Sequence, residues 1–219
     1  MTEEDEIGER SGLERTLAIS DGVFAFAITL LVLDLLVPTL SSNSSSSDLW
    51  RALKDEYSSF FSYFLSFLIA SVWWNAHHRS FSKIRHSDST LRWLNLLFLV
   101  WIALLPFFTK ILDHYINLQL GVVLYATDQA AAGAFLTLSW VYASRKHRLI
   151  DTNLTQSTIN FTTLRTAIST IFFLSSILIS FINPIAAVIS WVGMIPTLSF
   201  ARWVERKSNK KSVHSKKII

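Results

Sequence analysis

Six apolar runs, each near the roughly 20 residues that a helix needs to cross a bilayer, divide the chain: Leu17–Val37, Tyr57–Ala76, Leu91–Leu112, Leu118–Ala143, Phe161–Ile182 and Ile185–Val204. None shows the period-2 polarity of a membrane β-barrel strand, so all six are predicted as helices. The last is the most irregular: Pro184 leaves almost no link before it, and Pro196 interrupts it. The segment SSNSSSSD after the first run reads as a polar, flexible loop. The first run differs from the rest in its start. Arg15, Ser20, Asp21 and Gly22 form a polar head on a helix that is otherwise apolar to Val37.

Charge then orients the pattern. Lys and Arg accumulate on the cytoplasmic side of membrane proteins. Here they fall in the second-to-third link (Arg79, Lys83, Arg85, then Arg92), in the fourth-to-fifth link (Arg145, Lys146, Arg148) and after the sixth run. The opposite links hold only Arg51, Lys54 and Lys110. The expected fold is therefore an all-α membrane protein of six transmembrane helices with both termini cytoplasmic. Residues 1–206 would form one six-span transmembrane unit, and 207–219 a basic, disordered tail. Trp73, Trp74, Trp93, Trp140, Tyr142 and Trp203 all lie near inner ends, where amphipathic rings favour the interface. The acidic start, MTEEDEIGER, is unlike a signal peptide.

Composition narrows the chemistry. The 219 residues are 51% hydrophobic and only 16% charged, against about 25% charged in soluble domains. There is no cysteine, which excludes disulfides and thiol ligands. The basic balance of +4 fits anionic headgroups better than nucleic acid beside membrane runs. No H-E-x-x-H, G-x-S-x-G or ATP-binding loop is present, so an enzyme or a pump is not expected, and no cofactor is implied.

On a wheel of about 100° per residue, Ile19, Gly22, Phe26, Thr29, Leu30 and Leu33 share one stripe of the first run, apolar but for one hydroxyl. Ser20 and Asp21 fall away from it. A carboxylate facing lipid is costly, so this pair is expected to face neighbouring helices. Arg15 and the cluster His77-His78-Arg79 lie at the same depth. Capping is the alternative, with the helix starting at Ser20.

These residues resemble a known family. The string Arg15-x-x-x-Ile19-Ser20-Asp21-Gly22-Val23-Phe24-Ala25-x-Ala27-Ile28-Thr29-Leu30-Leu31-Val32-Leu33 is similar to the signature of the transmembrane protein 175 family of potassium channels. WWNAHHR at Trp73–Arg79 and ALLPF at Ala103–Phe107 resemble the family's second and third spans. The resemblance covers nearly the whole chain, and a single six-span unit matches the prokaryotic form. It implies a homotetramer with the first helix of each subunit lining a central pore for potassium. Rings of apolar side chains would form the constriction: Phe26, Leu30 and Leu33, with the Thr29 hydroxyl beside them for selectivity. Arg15, Ser20, Asp21, His77, His78 and Trp93 would form the polar support. Two positions depart from the family: Ile19 stands where Phe is usual, and Phe26 where Ile or Leu is usual. Without the resemblance, the same stripe reads as ordinary helix packing.

Three further residues draw attention. Asp34, at the outer end of the first run, is either an ordinary interfacial carboxylate or one member of a ring that gathers cations at the mouth. Asp128 is the only carboxylate near mid-bilayer, with Gln129 and Thr127 as candidate partners. Arg165 lies nearer the inner face. Neither Asp128 nor Arg165 receives a role. His77 and His78 point about 100° apart on a helix and do not chelate one ion together, so no metal site is expected. The partners implied are identical subunits, the lipid bilayer and monovalent cations. A proton leak through the same architecture is the alternative function, and a secondary transporter the less favoured one, since no matched halves are visible.

Overall fold

The computed structural model describes residues 3–192, with side chains from residue 12 onward. Among them are seven α-helices. They are α1 (Glu3–Leu30), α2 (Ser46–Asp55), α3 (Tyr57–Phe81), α4 (Ser89–His114), α5 (Gln119–Ser144), α6 (Gln156–Ser180) and α7, which begins at 184 and is described to 192. The sixth predicted run is thus seen only in its first part. Pro196, Trp203 and the basic tail lie outside the described residues.

Each helix start has a local cause. Asp88 accepts from the Leu91 N–H at the head of α4, and Thr155 from the Thr158 N–H at the head of α6. Asn183 accepts from the Ala186 N–H, with Pro184 in the first turn of α7 where its missing N–H costs nothing. α1 begins at Glu3, well before the predicted Leu17, and continues past Leu30 as a 3-10 turn over Leu31–Asp34. Ser20 is therefore deep inside a helix. Its hydroxyl donates to the Thr16 carbonyl at 2.8 Å, which excludes the capping reading.

Among the described residues, three helices are long and apolar enough to cross a membrane on composition alone: Gly12–Asp34, Ser89–His114 and Gln156–Ser180. α3 and α5 have the length, at 25 and 26 residues, but are not apolar enough over a full span to qualify. The structure explains the difference. Ser62, Ser66, His77 and Ser80 of α3, and Asp128, Gln129 and Ser139 of α5, are buried against other helices. Polar groups cost little there, because the protein and not lipid surrounds them. α5 sits at the centre, packed mainly on α4 and α6. Gly133 permits the closest approach. A Cβ at that position would collide with Thr170 Oγ1 of α6 and come within 2.8 Å of the Trp73 ring.

Two sequence expectations need correction. The loop SSNSSSSD is not all flexible. Ser45 and Asp48 form a reciprocal capping box that starts α2, and the Ser45 hydroxyl and N–H together hold the Asp48 carboxyl below its ordinary range. No residue of α2 is buried, and Trp50 is 62% exposed with Lys54 5.4 Å over its ring. This is the pattern of a helix lying in a membrane interface. Trp73 and Trp140, expected in an interfacial belt, are instead fully buried. The Trp73 indole N–H donates to Gln129 Oε1 at 2.7 Å and that of Trp140 to Thr163 Oγ1 at 3.1 Å. Trp74 and Trp93 are exposed.

The helices alternate in direction. The α3–α4 and α5–α6 links meet at one end of the bundle through an antiparallel bridge, Ile84 to Ile150, with the Arg85 N–H on the Leu149 carbonyl at 2.8 Å. At the other end Asp34 meets Lys110, and Ser59 donates to Asp113 at 2.9 Å. The two cation-rich links therefore share one end.

Candidate functional site: the two faces of α1

α1 divides along its length. Thr16, Ser20, Phe24, Ala27 and Leu31 are buried, at spacings of three and four that place them on one face. Ile19, Gly22, Phe26, Thr29 and Leu33 are exposed on the other, and Leu30 is half-buried. Phe26 is 67% exposed and Leu33 70%. The exposed face is nearly flat beside Gly22, where a Cβ would meet nothing within 4 Å. An apolar groove of ≈ 380 Å³ runs along it, bounded by Ile19, Gly22, Val23, Phe26, Ala27, Leu30 and, from α4, Ala103.

The buried face is fastened by polar bonds. His77 of α3 and Asn95 of α4 meet at 2.8 Å, Nε2 to Oδ1. The Asn95 amide N–H then donates to Ser20 Oγ at 3.0 Å. With its NH₂ toward Ser20, Asn95 can only accept at Oδ1, so His77 carries its proton on Nε2. Three helices are joined through one amide. Aromatic rings close around it: His77 stacks on Phe98 and Phe81 with centroids 5.5 and 4.1 Å away, and Phe24 lies 5.9 Å from Phe98.

The expected polar cluster thus forms only in part. Ser20 and His77 come together, through Asn95, which the sequence reading did not include. Asp21 is exposed and accepts from the Trp74 indole N–H at 3.0 Å, and Trp74 stacks on His78 at 5.7 Å. Asp21 and His78 therefore share a second, outer cluster organised by Trp74. Arg15 and Trp93 are exposed and belong to neither, since no hydrogen bond among the described residues ties them to Asp21 or the histidines. Asn95 had a signal. It shares a face with Leu91, Phe98, Leu99 and Ile102 at helical spacing, a lone amide among buried apolar residues.

The remaining candidates are placed as follows. The Thr29 hydroxyl lies 2.9 Å from both the Ala25 and Phe26 carbonyls, so its proton is committed to its own helix and its lone pairs face outward. Asp34 is paired with Lys110 at 3.3 Å within the subunit. Asp128 is buried in the core. Gln129 donates to its Oδ2 at 2.7 Å, its Oδ1 has no hydrogen-bond partner, and Thr127 points away into the exposed surface. The chain Trp73–Gln129–Asp128 links α3 to α5. Beside it Ser66 Oγ lies 3.0 Å from the Tyr125 hydroxyl and 2.9 Å from Thr109 Oγ1. No group of three His, Cys, Asp or Glu that could hold a metal is found among the described residues.

Long helices with apolar exposed faces, packed on a core that encloses their few polar groups, define a multi-pass membrane protein. Comparison with known proteins specifies which. Residues 15–106 match the family described as endosomal/lysosomal potassium channel TMEM175. A potassium channel of Streptomyces collinus is 31% identical over 173 residues, covering 77% of this chain and 82% of that one. The endosomal/lysosomal proton channel TMEM175 of Mus musculus is 37% identical over 98 residues, 42% of this chain and 20% of that one. The crystal structure of a lysosomal potassium-selective channel TMEM175 homologue from Chamaesiphon minutus superposes with a TM-score of 0.75 at 26% identity, over 87% of this chain and 97% of that one. The chain belongs to the TMEM175 family.

Proposed function

We propose that this protein is a potassium channel of the cell membrane. In this reading it has six transmembrane helices per subunit, both termini in the cytoplasm, and four identical subunits around a central pore lined by α1. Passive flux would be set by the side chains of the exposed stripe, and membership in a channel family sets the enzyme reading aside. The observation that carries the proposal is the division of α1: one face pinned into the subunit through Ser20 and Phe24, the other bare and carrying Phe26, Thr29 and Leu33.

In four copies, Phe26, Leu30 and Leu33 would form successive apolar rings. Such rings gate by wetting and drying. Between the first two, Thr29 offers lone pairs that can replace part of a cation's hydration shell, because its proton is held by helix carbonyls. The groove beside Gly22 gives a neighbouring α1 room to approach. Ser20, Asp21, His77 and His78, with Asn95 and Trp74, act in support and do not touch the ion. Asp34 contributes less to a cation-gathering mouth than a free carboxylate, because Lys110 offsets its charge.

Potassium flux from liposomes containing the purified protein tests the reading. Flux no greater than from protein-free vesicles, across several pH values and voltages, sinks it. Leu33→Ala and Leu30→Ala should change the current, and Thr29→Val should reduce the preference for potassium over sodium. The relative named a proton channel supports a second reading, proton permeation through the same rings. Reversal potentials under opposed potassium and pH gradients separate the two.

A further inference from the structure

At the cation-rich end of α5 the chain makes a turn that α1 and the pore do not explain. Lys146 and His147 both adopt left-handed backbone, with φ of 55° and 54°, a conformation that costs on the order of 1 kcal/mol or more for residues other than glycine. The turn is braced on both sides. Leu149 N–H donates to the Ala143 carbonyl at 2.9 Å, Arg148 N–H to the Arg145 carbonyl at 3.2 Å, and His147 Nε2 meets the Leu154 carbonyl at 3.1 Å. The result is a pocket of ≈ 460 Å³ walled by Tyr142, Arg145, Lys146 and Arg148.

Charge within the pocket is not balanced. Arg148 lies 4.7 Å over the Tyr142 ring and 3.7 Å from Asp88, and the Tyr142 hydroxyl donates to Asp88 at 2.6 Å. One carboxylate therefore answers one guanidinium and fixes the back wall. The Arg145 and Lys146 side chains are exposed, and among the described residues neither side chain makes a hydrogen bond or ion pair. Two cations are left facing the opening.

The surface leading to the pocket is apolar. Leu138 and Val141 are exposed, 51% and 39%; they stand at i and i+3 on one face of the last turns of α5, and Arg145 follows as the residue that caps the helix. An acyl chain lying along Leu138 and Val141 would deliver its headgroup to Arg145 and Lys146. We infer that this pocket binds the phosphate of an anionic phospholipid. The apolar track favours a lipid over a soluble phosphate, because only a lipid uses both parts. The inference rests on reading α5 as a membrane-crossing helix, and it is independent of what the pore conducts.

Native mass spectrometry of the full chain in detergent tests it, with phosphatidylglycerol and phosphatidylcholine of identical acyl chains as probes. The wild type should retain phosphatidylglycerol preferentially. R145Q/K146N should weaken that retention on the order of tenfold and leave phosphatidylcholine retention unchanged. Asn is chosen at 146 because it tolerates left-handed backbone, and the single variants R145Q and K146N should each give part of the drop if the double variant does not fold. Unchanged phosphatidylglycerol retention in these variants overturns the site. Displacement of the lipid by an equal concentration of inorganic phosphate overturns the lipid assignment. Potassium flux, measured separately, can fail without affecting either outcome.

Discussion

The apolar part of α1, from Leu17 to Leu30, and the whole of α5 each carry one carboxylate, and the two are treated in opposite ways. Asp128 of α5 is enclosed on every side and held by Gln129, itself held by Trp73. Asp21 of α1 is exposed beside a bare apolar face, and among the described residues its carboxylate takes a hydrogen bond from Trp74 alone. α5 is scaffold: its polar groups are turned inward, and its small residues let α6 and Trp73 close on it. α1 is scaffold on one face and working surface on the other. The difference locates function better than hydropathy does, because an apolar stripe is informative only where the opposite face is independently fixed.

The comparison can be broken at its joints. Asn95→Ala removes the amide shared by Ser20 and His77; it leaves the buried His77 Nε2 without its partner, while the Ser20 hydroxyl keeps its bond to the Thr16 carbonyl. A loss of about 2–4 kcal/mol in subunit stability is expected, read by denaturation in detergent, together with altered flux as α1 loses its seat. An unchanged stability would mean that α1 is held by packing alone. Gly133→Ala should cost about 1–3 kcal/mol, since the new methyl group meets Thr170 and Trp73, with no change of ion preference if the channel still assembles. Lys110→Gln should move stability by about 1 kcal/mol or less. In the pore reading it should also raise current at low salt, where an unpaired Asp34 ring attracts cations most, and the gain should fade as salt screens it. Phe26→Ala should change subunit stability least, within about 0.5 kcal/mol, because the ring makes little of the subunit's core. It should nevertheless increase flux if Phe26 narrows the path. Unchanged flux would remove Phe26 from the pore wall.

The sequence made much of this legible, for physical reasons. α1, α4 and α6 stand out because their apolar runs are long and little interrupted. The stripe of α1 follows from helical period: Ser20 is buried on the side opposite the exposed Phe26, Thr29 and Leu33, whereas Asp21, expected beside Ser20, is exposed and Leu30 is half-buried. What stayed hidden needed a direction around a helix that depth alone does not supply. Trp73 and Trp140 lie at interfacial depth but point inward. Ile69, Trp73 and His77, four residues apart and all buried, show that α3 turns this face to the core. α2 was obscured by its serine-rich start, although Ser45 and Asp48 already had the spacing of a reciprocal cap. The pairing of Asp34 with Lys110 joins residues far apart in sequence, and no local pattern announces it. Asn95 is the instructive miss: an amide four residues from Leu91 on the same face was as visible as the histidines, but the eye goes first to groups that ionise.

The open ground at Gly22 has a practical consequence. The natural chain contains no sulfhydryl, and a side chain at position 22 would strike nothing inside its own subunit. A cysteine placed there would be the molecule's single thiol, set midway along the bare face without disturbing the helix that carries it. Its reactivity toward water-soluble reagents, and its capacity to cross-link to its own copies, would report directly on what stands opposite α1 in the assembled protein.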